Sequence, residues 1–159
     1  MAIRKLAELT DGLKPGCRLL GLDLGEKTIG IAKSDSTWMI ATPMTTLKRG
    51  KFTKDAGILA ELVEEHEVGG LVIGLPINMD GSEGPKCQSA RQFAENLMGR
   101  MDMDIAFWDE RLSTVAVTRT MIEADLSRAK QKEAVDKMAA AYILQGALDA
   151  LRHRRAARP

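Results

Sequence analysis

Three positions in this chain put a carboxylate where one is costly. Asp23 closes the apolar run "RLLGLDL" that begins at Arg18. Asp109 and Glu110 close a second run, "DIAFWDE". Asp136 lies in "EAVDKMAAAYILQ", where the residues three, four, seven and eleven further on are Ala139, Ala140, Ile143 and Ala147. At helical spacing it therefore shares a small, apolar face. Taken singly, each acid has an ordinary explanation. Asp23 beside Gly25 can brace a turn. Asp109 and Glu110 can lead into a helix capped by Ser113 or Thr114. Asp136 near a helix start gains a few tenths to about 1 kcal/mol from the helix dipole. Taken together they repel, and without cations they would have to protonate or unfold the chain. Few lysines share these faces, so a divalent metal is the economical partner. Mg²⁺, or Mn²⁺ in its place, takes carboxylate oxygen and keeps waters, which suits one or two ions shared with a substrate phosphate. Two such ions about 3.5–4 Å apart can activate a water and stabilise the leaving oxygen of a phosphodiester.

These acids need elements to position them. Residues 18–24 read as a strand rich enough in leucine to be buried on both faces, with Leu19, Gly21 and Asp23 on one side. Residues 28–34 read as a second strand, joined by the short link "GEK" into an antiparallel hairpin. A third strand over 40–47 carries Pro43, which argues for a sheet edge. The stripe of Ile58, Leu59, Leu62 and Val63 predicts a helix over 51–67, ended by Gly69 and Gly70. "LVIGLP", residues 71–76, reads as a buried strand. A polar glycine-rich loop follows, then a helix over 87–101 and a strand over 104–109. Asp109 and Glu110 point to opposite faces if that strand persists, so one of them faces the region of Asp23; the pattern alone leaves open which. A helix is expected from Ser113, against the β-branched Val115, Val117, Thr118 and Thr120. An amphipathic helix is expected over 131–151. Two strands reached through helical crossovers make a mixed sheet flanked by helices.

The bulk numbers agree with one domain. The chain has 159 residues, 45% hydrophobic and 28% charged, with a formal net charge of +1. That suits a single sizeable core and gives no global field for nucleic acid. Residues 1–17 read as a leader, helical over 3–9, residues 18–151 as the domain, and 152–159, "RHRRAARP", as a basic tail. Cys17 and Cys87 stand in no metal or redox spacing, as in a reducing cytoplasm. His66 and His153 are the two histidines, too few for a histidine-built zinc site. No stretch is apolar for the roughly 18 residues a bilayer demands, so no membrane partner is expected.

Four stretches, "GLDLGEKTIGIA", "LVIGLPINMDGSEG", "FWDERLST" and "EAVDKMAAAYILQ", occur in the order found in one bacterial family. The chain resembles, over about residues 18–150, the ribonuclease-H-like family of pre-16S rRNA nucleases and Holliday junction resolvases (YqgF-type). The resemblance implies an α/β fold, a mixed five-stranded sheet with its first three strands antiparallel and helices on both faces. It implies a catalytic, metal-binding triad of Asp23, Glu110 and Asp136. It also implies metal-dependent hydrolysis of a phosphodiester in structured nucleic acid. Many ribonuclease-H-like enzymes carry an acid at the end of the fourth strand. Here that strand ends "GLP", which leaves the role to Glu110 on the next.

Other residues can serve a nucleic-acid substrate. Lys27 and Thr28 follow Asp23 and can touch a phosphate. Asn78 and Ser82 lie in a loop able to clamp a backbone through exposed N–H groups. Lys86, Arg91 and Arg111 can neutralise phosphates, and Arg128, Lys130 and Lys132 precede Asp136. Trp108 is expected in the core; Trp38 is either core or a base-stacking residue. The preferred expectation is processing of the 5′ end of precursor 16S rRNA, with a four-way DNA junction as the alternative substrate. A junction resolvase would call for a homodimer, whereas a monomer suffices for a single cut. Two other classes rank lower. One is an actin-like phosphotransferase, which "DLGEKTIG" also resembles but which needs two lobes. The other is a non-catalytic transcription or ribosome-assembly factor.

Overall fold

A leucine-rich strand buried on both faces has to be covered on both faces, and the architecture follows from that need. The computed structural model describes residues 3–112 and 128–157. The elements run β1 (Ile3–Arg4), α1 (Leu6–Leu9), β2 (Arg18–Leu24), β3 (Thr28–Ser34), β4 (Ala41–Lys48), α2 (Phe52–Glu65), β5 (Val68–Leu75), α3 (Pro85–Met98), β6 (Asp104–Asp109), a 3₁₀ turn (Glu110–Leu112) and α4 (Arg128–Ala157). One sheet has the order β1-β6-β5-β2-β3-β4. β2, β3 and β4 pair antiparallel, and β5 and β6 join parallel to β2. The expected mixed five-stranded sheet is present, extended by the two-residue β1 beside β6.

Two apolar layers enclose the sheet. On one face Leu20, Leu22, Ile29, Ile31, Leu71, Ile73 and Ile105 meet α2 and α3. On the other, Leu19, Ala32, Val72, Ala106 and Trp108 meet Ala140, Ile143, Leu144 and Ala147 of α4. The small residues of α4 let it lie nearly on the strands. A Cβ added to Gly21 would stand 2.7 Å from Leu144 Cβ, and one on Gly30 only 2.0 Å from the Asp136 carbonyl oxygen.

The structure corrects the sequence reading at three places. Residues 3–9 are not one helix. Ile3–Arg4 pairs with Ile105–Ala106 before the short α1 begins, and Leu9 is fully buried in the α4-side layer. Gly69 and Gly70 do not end α2. The helix stops at Glu65, Glu67 turns the chain with φ 52°, and both glycines lie inside β5. They make room for the leader, since a Cβ on Gly69 would stand 2.5 Å from Leu13 Cδ2 and one on Gly70 3.1 Å from Leu9 Cδ1. The last helix begins earlier than expected, at Arg128. Pro43 does sit on an edge strand, at a register shift opposite Ala32. The helix expected from Ser113 lies outside the described residues.

Candidate active site

Asp23 ends the central strand of the sheet and is 5% exposed. Alternation with Gly21 turns it to the α4 face. Its antiparallel partner is Gly30, the glycine on which the Asp136 backbone rests. Its neighbour on the parallel side, one step past the Leu22–Ile73 pair, is Gly74. A Cβ on Gly74 would lie 2.5 Å from Ile143 Cδ1 and 3.3 Å from Glu110 Cδ. Asp23 is thus flanked by two glycines, with Asp136 over one and Glu110 over the other. All three acids occupy one face at one end of the sheet.

The choice between Asp109 and Glu110 follows from strand parity together with the turn after β6. Trp108 packs in the α4-side layer and pairs with Gly74, so Asp109 turns to the α3 side. There it is taken by Arg111, whose Nη2 donates to Asp109 Oδ2 at 2.7 Å and whose Nε reaches both oxygens at 3.1 Å. Those bonds hold the Asp109 carboxyl below the ordinary carboxylate range. Glu110 opens the 3₁₀ turn and comes round to Gly74.

Asp136 is held by a side chain from another element. Thr28 Oγ1, in the first residue of β3, donates to Asp136 Oδ2, and Thr28 is itself buried. With α4 starting at Arg128, Asp136 stands beyond the first turn, where the dipole has faded. The Thr28 hydroxyl accounts for an acid on this face better than the dipole does. Thr28 also closes the turn after Asp23, because its carbonyl accepts the Gly25 N–H at 2.8 Å.

The donor set is carboxylate oxygen throughout, the chemistry that hard divalent cations select, and it fits such an ion in kind. Asp136 is turned to Thr28, and among the described residues no group of three Asp, Glu, His or Cys closes to ligating spacing.

The remaining expected site residues scatter around this rim. Lys27 is exposed in the turn, and its carbonyl accepts the Arg49 N–H at 2.8 Å. Asn78 and Ser82 are exposed but bonded within their loop. Asn78 Nδ2 donates to Ser82 Oγ at 3.0 Å, and Ser82 gives its hydroxyl and N–H to Asp80 Oδ1 at 2.6 and 2.9 Å. These bonds, the hydroxyl's first, keep the Asp80 carboxyl low. Arg91 donates to Glu83 at 2.6 and 3.0 Å and lies 5.0 Å over the Phe107 ring. Arg111 is committed to Asp109. Lys86 is exposed in the first turn of α3. Arg128, Lys130 and Lys132 begin α4, but their side chains lie outside the described residues. Trp108 is in the core, as expected. Trp38 packs against the α4-side layer and donates Nε1 to the Cys17 carbonyl at 2.6 Å.

One residue that the sequence reading passed over is Arg49. Its Nη1 donates to the Gly25 carbonyl at 2.7 Å and braces the turn behind Asp23; nothing in its local sequence marks it. Gly30 did carry a signal, since a glycine inside a strand often marks a close backbone approach.

Comparison with known proteins bears on the same residues. Among curated sequences, a protein of Paramagnetospirillum magneticum named "Putative pre-16S rRNA nuclease" is 62% identical over 94% of this chain and 96% of its own length. A protein of the same name from Phenylobacterium zucineum is 56% identical over 96% of this chain and 99% of its own. Among solved structures, Thermus thermophilus RuvC in complex with a Holliday junction substrate superposes with a TM-score of 0.53. It is 11% identical and covers 89% of this chain and 97% of that one, a likeness of fold. A family model described as "RuvX: Holliday junction resolvase" matches residues 17–150, which spans all three acids, and the chain belongs to that family.

Proposed function

We propose that this protein is a divalent-metal-dependent nuclease that hydrolyses phosphodiester bonds in structured nucleic acid, acting on the 5′ end of precursor 16S rRNA. The observation that carries the reading is the placement of Asp23, Glu110 and Asp136 on one face at one end of the sheet, with Gly30 and Gly74 clearing the space beside Asp23. The names of its close relatives support the RNA substrate. The family's description supports a four-way DNA junction as the second reading. In the described residues no helix is long and apolar enough to cross a membrane, and the proposed place of action is the cytoplasm.

Asp23, Glu110 and Asp136 would hold Mg²⁺ or Mn²⁺. Such an ion supplies Lewis acidity toward the scissile phosphate and lowers the pKa of water. The chain's own part is positional. The buried Asp23 fixes the centre of the site at a strand end. Thr28 sets the direction of Asp136, and the turn braced by Arg49 keeps Thr28 in place. Glu110 approaches from the far side of Asp23, so negative charge surrounds the site on two sides. The actin-like phosphotransferase reading ranks below this one because the family match spans residues 17–150, "DLGEKTIG" included.

The test sets purified protein with Mg²⁺ or Mn²⁺ against precursor 16S rRNA and a four-way DNA junction in parallel. Cleavage of the RNA is expected, with Asp23→Asn and Glu110→Gln slower by on the order of 10²-fold or more. Asp109→Asn, on the other face, is expected to stay within about tenfold of wild type. Cutting of the junction alone would favour the second reading. Cleavage that persists in Asp23→Asn, or equal losses in Glu110→Gln and Asp109→Asn, would refute the assigned site.

A further inference from the structure

A band of positive side chains starts beside the Thr28–Asp136 pair and runs across the end of the sheet to the start of α2. Lys48, the last residue of β4, pairs with Thr28 across the strands, and paired residues point to the same face. Lys48 therefore stands one strand outward from the hydroxyl that holds Asp136. From there the chain crosses the end of the sheet. Arg49 bonds to Lys27 and Gly25 of the neighbouring turn and lies 5.4 Å over the Phe93 ring. Lys51 precedes α2, and Lys54 Cδ lies 4.0 Å from where a Cβ on Gly50 would stand. Lys27, Lys48, Lys51 and Lys54 are all exposed.

Among the described residues, acids do not balance this band. The ion pairs formed between described residues engage Arg91, Arg111, Arg152 and His66. Asp55, the acid nearest in sequence, is buried and accepts the Gly50 N–H at 3.2 Å. Glu26 is exposed beside Lys27. A run of lysines is usually a solvated face. Two features separate this run from that default. It lies at the same end of the sheet as Asp23 and Asp136, and its centre, Arg49, is pinned to the turn behind Asp23.

We propose that Lys27, Lys48, Arg49 and Lys51 grip the phosphate backbone of the strand that the nuclease cuts, guiding it past Asp23. The proposal rests on the nuclease reading and names the surface that would hold its substrate. The contact is to phosphate, so it adds affinity and register without base preference.

The experiment measures binding of a fluorescein-labelled single-stranded RNA of mixed sequence, in EDTA so that nothing is cut, between about 50 and 200 mM salt. The variant is Lys48→Gln with Lys51→Gln. The control is Lys14→Gln, an exposed lysine at the opposite end of the sheet. Each phosphate contact on a single strand contributes about 0.7 to the salt slope. The double variant is expected to lose roughly 1.4 from that slope and on the order of tenfold in affinity, with the control close to wild type. Wild-type slope and affinity in the double variant, or an equal loss in Lys14→Gln, would overturn the proposal. RNA binding that depends on Lys48 and Lys51, in a protein that cuts neither substrate, would count against the nuclease reading and leave the grip standing.

Discussion

A single hydroxyl decides where one of the three acids points. Thr28 Oγ1 donates to Asp136, and a hydrogen bond to a charged group contributes about 1.5–3 kcal/mol. Thr28→Val keeps the shape and removes the donor. Its kcat is expected to fall about tenfold and the Mg²⁺ concentration for half-maximal rate to rise, while KM for nucleic acid stays put. Thr28→Ser should restore both. A steady-state titration of Mg²⁺ at fixed substrate checks this, and a Val variant indistinguishable from wild type would show that Asp136 holds its position unaided. The sequence had Thr28 as a phosphate contact because its partner is 108 residues away, beyond any local pattern. The acids stood out in the sequence, Asp23 and the Asp109–Glu110 pair because a carboxylate ending a buried strand contradicts its surroundings, and Asp136 because it shares an apolar helix face. Asp109 and Glu110 could not be separated by pattern alone. Parity places Trp108 and Asp109 on opposite faces, but it does not say how the chain turns after β6.

Between elements, the site depends on how closely α4 lies on β3. At Gly30 the helix backbone occupies the space of a side chain, 2.0 Å from where a Cβ would be. Gly30→Ala must therefore push the helix off the strand and carry Asp136 with it. The expected cost is about 3 kcal/mol, the upper end of ordinary overpacking. Gly74→Ala meets the flexible end of Ile143 at 2.5 Å and should cost less. Urea unfolding of the two variants measures the order, and equal losses would mean that α4 adapts as easily as one side chain. At this scale the sequence was readable wherever periodicity was strong: the hairpin, the edge strand with Pro43, α3, β6 and the last helix. It misled where a residue's usual local meaning was overruled by packing. Gly69 and Gly70 look like a helix stop and are instead strand positions kept bare for Leu13 and Leu9. Ile3–Arg4 is too short to announce itself as a strand and exists because β6 offers an open edge.

Across the whole molecule the formal charge of +1 conceals a separation: three carboxylates share one face at one end of the sheet, and lysines line that same end. The core layers on both faces fix the strand ends that carry these carboxylates. An ion that binds the folded site and not the unfolded chain must then stabilise the fold by mass action, by about 2.7 kcal/mol at one hundred times its Kd. For a chain of this size that corresponds to a rise in Tm of roughly 5–10 °C. Wild-type protein melted with saturating Mg²⁺ should show that rise over the same protein in EDTA. Asp23→Asn, which lacks the central carboxylate, should show little of it at the same Mg²⁺ concentration. General screening by salt would raise both proteins alike, so a matched rise in the variant would mean that the cation acts on the surface at large and not at the strand end of Asp23.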